Sequence, residues 1–227
     1  MLFTTCSDIW DTDDTVHKAA KRALYIAIRH THKSVDVLNE EDVTTNSTLN
    51  QYKTLYIMDP HVSSNATAHI VDWVTNGGTV YASGQAGFFD EANSNNGAMM
   101  ELLGLVAWTG SSALPATAVV SSTPAIGMLK RDLPTASRLD TVIVDGVGSD
   151  ASIGAYGLLV RPGNFTGPVA GLVNTTVLAH FGSDHTAAAT LRKVGKGRAV
   201  FTGFLPSISY PLPLNKSLIS THLIFIP

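Results

Sequence analysis

Six side chains have the types needed to hold a small polar ligand: Asp8, Trp10, Asp59, His61, Ser83 and Gln85. Carboxylate, imidazole, hydroxyl and carboxamide groups hydrogen-bond to hydroxyls, and an indole offers a flat face to a ring, so the set suits a carbohydrate. Nucleophilic chemistry is poorly supplied. The chain has one cysteine, Cys6, close to its N-terminus, and Gly-x-Ser-x-Gly does not surround Ser83, which reads as a turn residue ending a strand. Metal chemistry fares no better, and no metal or cofactor is expected. His30 and His32 stand two apart, a spacing that does not bring both imidazoles to one helical face. Asp11, Asp13 and Asp14 lack the remaining ligands of a calcium loop and suit a helix cap instead. Gly195-Lys196-Gly197 lacks the spacing and the Ser/Thr of a phosphate loop and reads as a hairpin turn.

The elements that position these side chains alternate. Met1–Thr5, Ser34–Leu38, Thr54–Met58 and Thr79–Ser83 read as strands. Between the first two, Asp13 or Asp14 caps a helix with Val16, Ala20, Ala23, Leu24, Ala27 and Ile28 inward and Lys18, Lys21, Arg22 and Arg29 in solvent. Between the last two, Ser63 or Ser64 caps a helix with Ala66, Ile70, Trp73 and Val74 on one face, ended by Asn76-Gly77-Gly78. A βαβαβ order favours parallel pairing with right-handed crossovers, and ligands then bind beyond the carboxyl ends of the strands, where the six side chains lie. A short helix over Ala98–Leu103 closes at Gly104. Beyond it, Ala116–Val120 and Thr141–Val144 read as strands among Gly, Ser and Pro clusters, and Thr176–Phe181, Ala187–Val194 and Arg198–Phe204 as antiparallel strands. The expected fold is α/β: a flavodoxin-like, doubly wound, mostly parallel sheet with a β-rich insertion and a C-terminal antiparallel hairpin. It forms a single domain over 1–227, with a core at 1–104, the insertion at 105–168 and the C-terminal strands at 169–227.

Composition narrows the partners. A 227-residue chain with 44% hydrophobic residues can bury a sizeable core. Its formal charge of -3, with charged residues at only 15% and no basic run, argues against nucleic acid. No apolar stretch reaches the roughly 20 residues of a membrane span, so the expectation is a soluble protein, cytoplasmic or secreted. Sequons at Asn46, Asn65, Asn164, Asn174 and Asn215 would accept glycans in a secretory compartment, although no signal peptide precedes them.

Two stretches resemble a known family. Tyr52 to Pro60, the helix end Val71-Asp72-Trp73-Val74-Thr75-Asn76-Gly77-Gly78, the strand Thr79–Ser83 and Phe89-Asp90-Glu91 are similar, in order and spacing, to microbial β-galactosidase trimerisation domains. Ala179-His180-Phe181, Ala188 to Arg192 and Val194-Gly195-Lys196-Gly197-Arg198 followed by Ala199-Val200-Phe201-Thr202-Gly203 resemble the terminal hairpin of that domain. The resemblance covers most of the chain outside Leu105–Pro168. It implies a fold like that of the class I glutamine amidotransferases without their catalytic residues, and a role in subunit assembly beside a catalytic barrel, as a homo-oligomer or with a catalytic partner domain. The residues agree on the missing chemistry. Gly84, between Ser83 and Gln85, stands where a nucleophilic cysteine would be, and His180 and His185 are followed two residues later by Gly182 and Ala187 rather than by a carboxylate. A chain of this length has no room for a glycosidase barrel of about 250 residues. The chain therefore reads as a non-catalytic assembly or accessory module of a carbohydrate-active protein, with carbohydrate binding or processing in the strand-end crevice as the alternative.

Overall fold

A computed structural model describes residues 1–10, 15–45, 47–105, 119–120, 140–145, 152–155, 158–159 and 174–209. The helices are α1 (Thr5–Trp10), α2 (Thr15–His30), α3 (Glu40–Thr44), α4 (Ser64–Thr75), α5 (Gly97–Leu103) and α6 (Pro206–Ser209). The strands are β1 (Thr54–Ile57), β2 (Thr79–Ser83), β3 (Val119–Val120), β4 (Asp140–Val144), β5 (Ser152–Ala155), β6 (Leu158–Leu159), β7 (Thr175–Phe181), β8 (Ala187–Val194) and β9 (Gly197–Thr202). Seven strands form one sheet in the order β1-β2-β9-β8-β7-β4-β5, while β3 and β6 pair separately. The fold is mixed α/β.

One end of the sheet is parallel and the other antiparallel. β1 pairs parallel with β2, and β2 parallel with β9. Beyond β1, the Leu2 amide donates to the Tyr56 carbonyl, and a parallel bridge joins Leu2 to Leu38. The four remaining pairings, β9 to β8, β8 to β7, β7 to β4 and β4 to β5, are antiparallel. The expectation of a mostly parallel sheet therefore holds only for the first end. The connections explain why: Gly195-Lys196 and the short Gly182–Thr186 turn are too brief to carry a crossover, so β7, β8 and β9 must meander. β4 and β5 extend the main sheet rather than standing apart from it.

Two expected strands shrink to single bridges. Met1–Thr5 contributes only Leu2, because Thr5 already starts α1, and Ser34–Leu38 contributes only Leu38. The Ser7 amide donates to the Thr4 hydroxyl oxygen, a cap that turns the chain into a helix where a loop is expected. Near the same edge, α3 carries a reciprocal capping box between Asn39 and Asp42.

Elsewhere local sequence and structure agree. The Ser63 side chain accepts from the Ala66 amide at the start of α4, and Asn96 accepts from Met99 at the start of α5. Gly104 takes φ 77° after α5, a left-handed residue that ends the helix without a Cβ penalty. β2 is buried from Val80 through Ser83 with no alternation, and β9 from Ala199 through Thr202, so both sheet faces are covered there. The helices pack in two groups, α2 with α6, and α3 and α5 with α4. Phe181, Phe201, Phe204, Leu55, Ile57, Ile70, Met99 and Leu103 are fully buried, each worth about 1.5–3 kcal/mol of transfer free energy.

The β8–β9 turn locks the two halves together. The Lys196 amide donates to the Thr75 carbonyl at the end of α4, and the Arg198 amide to the Gly78 carbonyl. Gly197 lies so close that a Cβ would overlap the carbonyl oxygens of Val74 and Gly78. Gly78 in turn lies over the Trp73 indole with no room for a side chain. Asp11, Asp13, Asp14 and most of the 105–168 segment lie outside the described residues.

Candidate functional site

Asp59 follows β1, and its carboxylate is nearly sealed from solvent. Its Oδ1 lies 2.6 Å from Lys21 Nζ, and its Oδ2 accepts from the Thr4 amide at 2.9 Å. Lys21, expected in solvent, is 5% exposed; its ammonium also sits 4.5 Å above the Phe3 ring. The reason is geometric: Lys21 follows Ala20 on the flank of the apolar stripe of α2, and its four-carbon stem reaches under the helix to a carboxylate 38 positions later. Two charges removed from water are tolerable only when paired and further hydrogen-bonded, which this pair is.

His61, two residues beyond Asp59, is also buried. Its backbone is fixed by Ser7, whose Oγ lies 3.0 Å from the His61 amide and 3.3 Å from the His61 carbonyl. Its Nε2 lies 2.8 Å from Asn93 Oδ1. Trp10 stacks on one side of the imidazole, with centroids 6.3 Å apart and planes 20° apart, and Phe89 lies on it at 5.2 Å and 29°. The Trp10 indole N–H donates to the Glu91 carbonyl, so its orientation is fixed although it is 49% exposed. Glu91 itself is held below the usual carboxylate range, chiefly because the Ser64 amide at the start of α4 donates to it.

Asp8 and Asp59 share a small solvent-open cleft, with room for about one water molecule, with Ser7, His17, Lys18, Lys21 and Pro60. Trp10 and His61 stand together beside it, joined to it through Ser7. Ser83 and Gln85 do not line it. Ser83 is fully buried and donates its hydroxyl to Met58 sulfur at 2.8 Å, while Gln85 is 6% exposed with its amide nitrogen lacking a hydrogen-bond partner. Between them Gly84 has φ 64°, a left-handed residue in the turn at 84–87 that follows β2, with no side chain to offer a substrate.

Lys21 and Asn93 complete the constellation and were not legible as site residues. Lys21 is camouflaged as a surface lysine; Asn93, at φ 57° in the Asp90–Asn95 loop, carries only the generic turn signal of asparagine. Cys6 lies apart from a nucleophile's environment. Its half-buried thiol donates to Glu40 at 3.5 Å, and burial followed by the adjacent Glu40 carboxylate pushes its pKa up to about 11. Among the described residues, no group of three or more His, Cys, Asp or Glu side chains could hold a metal ion, and no helix is long and apolar enough to cross a membrane.

No protein-family model matches the sequence, and no curated protein does. The fold, however, matches segments of solved glycosidases. A β-galactosidase from Bacillus circulans sp. alkalophilus aligns over 88% of this chain and 26% of its own, at TM-score 0.59 and 16% identity. The polyextremophilic β-galactosidase of the Antarctic haloarchaeon Halorubrum lacusprofundi aligns over 90% and 26%, at 0.56 and 16%. Gan42B, a GH42 β-galactosidase, aligns over 80% and 22%, at 0.53 and 20%. The chain thus spans about a quarter of the length of these enzymes and shares the fold of that part.

Proposed function

We propose that the chain is a non-catalytic, amidotransferase-like module that serves assembly, or acts as an accessory domain, in a carbohydrate-active protein of the β-galactosidase kind. The observation that carries this reading is the turn after β2. At the end of β2, where a nucleophile would be expected, Gly84 takes φ 64° and offers no side chain, and the neighbouring Ser83 hydroxyl is turned into the core onto Met58. The one thiol, Cys6, is held protonated at neutral pH and lies on α1, away from that bend.

The parallel order Leu38, Leu2, β1, β2, β9, flanked by helices in two groups, supports a flavodoxin-like, doubly wound reading of the first end of the sheet. The fold match to parts of several β-galactosidases supports a place in a larger carbohydrate-active assembly, with a second copy or a catalytic domain as partner. Half-exposed Phe3, Tyr25 and Val37 supply apolar surface for such a contact.

Light scattering of the purified chain over a concentration series tests the self-assembly form, which requires an interface above roughly 1,000 Å². A stable dimer or trimer is expected. A strict monomer that also fails to bind a separately produced glycosidase barrel would overturn the proposal, as would glutamine hydrolysis by the isolated chain.

A further inference from the structure

We infer that copies of the chain meet through adjoining surface blocks of opposite charge, the basic face of α2 in one copy seating on the acidic edge at 36–42 of the next. This rests on the assembly reading above and names the contact that reading needs.

The sequence keeps the two signs apart. Between Asp14 and Asp36 stand Lys18, Lys21, Arg22, Arg29 and Lys33, with no carboxylate among them. Between Lys33 and Lys53 stand Asp36, Glu40, Glu41 and Asp42, with no basic residue among them. The fold draws Lys21 inward to Asp59 and leaves Arg22, Arg29, Lys33, Asp36 and Glu41 exposed. Local roles explain part of the pattern. Arg29 complements the C-terminal end of α2, Asp42 closes the capping box, and Glu40 accepts from the Ser63 amide. None of these roles requires separate blocks, and interspersed signs are the ordinary way to keep a surface from pairing with its own copy.

The blocks border one another. The Lys21 ammonium of α2 lies 4.5 Å over the Phe3 ring, and the Phe3 amide donates to the Leu38 carbonyl within the acidic edge. Each block also has an apolar centre. Arg22, Tyr25 and Arg29 follow one another at spacings of three and four on one face of α2, with Tyr25 38% exposed, and Val37 beside Asp36 is 54% exposed. A surface carrying both blocks is complementary to its own copy, whether the copies pair across a two-fold axis or follow one another round a ring. Whole copies, each at a formal charge of -3, repel, so the local pattern is what orients them.

The test is light scattering of the full chain at about 50 and about 500 mM NaCl. Beside it run two charge-altered variants, Arg22→Glu with Arg29→Glu and Asp36→Asn with Glu41→Lys, and the chain carrying all four substitutions. The unaltered chain is expected to associate with a Kd that rises at least about tenfold at the higher salt. Each two-substitution variant should associate at least about tenfold more weakly, because its basic and acidic blocks no longer attract. The four-substitution chain should regain association, since opposite signs meet again, and that recovery shows that the substitutions leave the fold intact. Association that ignores salt and both variants overturns this contact and leaves the assembly reading standing. A four-substitution chain that keeps the far-UV circular dichroism of the unaltered chain but stays dissociated overturns it as well. A strict monomer of the unaltered chain removes this contact together with self-assembly.

Discussion

Lys21 Nζ lies 2.6 Å from Asp59 Oδ1, and both side chains are almost fully withdrawn from water. This contact joins α2 to the end of β1 and fixes the floor of the cleft, so its energetics differ from those of a surface ion pair.

Removing one partner leaves the other charge buried and uncompensated. Asp59→Ala and Lys21→Ala are each expected to cost about 3–5 kcal/mol in urea denaturation, whereas the double change Lys21→Met with Asp59→Leu is expected to cost less, about 1–3 kcal/mol, chiefly because it leaves the buried Thr4 amide without its acceptor. A single-substitution cost below about 1 kcal/mol would show that the pair is hydrated in solution.

The turn that docks on α4 gives a second expectation. Gly197→Ala drives a methyl group into the Val74 and Gly78 carbonyls and should destabilise the chain by about 1–3 kcal/mol or more. Gly77→Ala meets no atom within 4 Å but is held at φ 127°, so its cost, about 1–3 kcal/mol, comes from backbone strain alone. Thermal melts check both; at 77 asparagine should do no better than alanine, because its tolerance of positive φ is confined to values near 60°.

Cys6 should be a poor nucleophile. A thiol raised from 9.0 to about 11 holds roughly a hundredfold less thiolate at neutral pH, so labelling by a disulfide reagent should be slow and rise with a midpoint near pH 11. The sign for stability follows: the protonated thiol favours the fold below about pH 9, and that contribution is lost as pH climbs from 9 toward 11. Glu40→Gln removes the secondary cause and should lower the midpoint without restoring the ordinary value. A midpoint already at 9.0 in the unaltered chain would contradict the burial.

Glu91 behaves in the opposite sense. The Ser64 amide stabilises its ionised form, so the contact at the start of α4 is present at neutral pH and lost as acid titrates the carboxylate below its ordinary range. Glu91→Gln should flatten the acid limb of a stability-against-pH curve; an unchanged limb would remove Glu91 from the helix start.

Local signals were legible wherever they were strong and short-range. Thr79–Ser83 forms the expected strand, Ala187–Val194 likewise, Ser63 caps α4, and Gly104 closes α5. The failures lie where distant residues decide. Lys21 sits beside an apolar stripe, and only the position of Asp59 in space reveals that it is buried. Met1–Thr5 has strand composition, yet the Thr4 cap starts a helix after a single bridge. The Asn39–Asp42 box was in principle readable, since both capping residues stand at the right spacing. Of the six candidate ligand residues, Asp8 and Asp59 come to one cleft and Trp10 and His61 stack on each other, while Ser83 and Gln85 are turned inward. Strand-end position was readable; side-chain direction was set by packing.

β9 is inserted between β2 and β8, and Arg198 Nε reaches Thr79 Oγ1 across 119 positions of chain. During synthesis, the strand that closes the parallel half emerges from the ribosome long after β2. Until then β2 presents an unpaired, strongly apolar edge to the cytosol or lumen, and any cut before residue 197 leaves that edge permanently open. Chains cut near residue 105 should therefore clump rather than fold, and the 227-residue chain should fold slowly for its size.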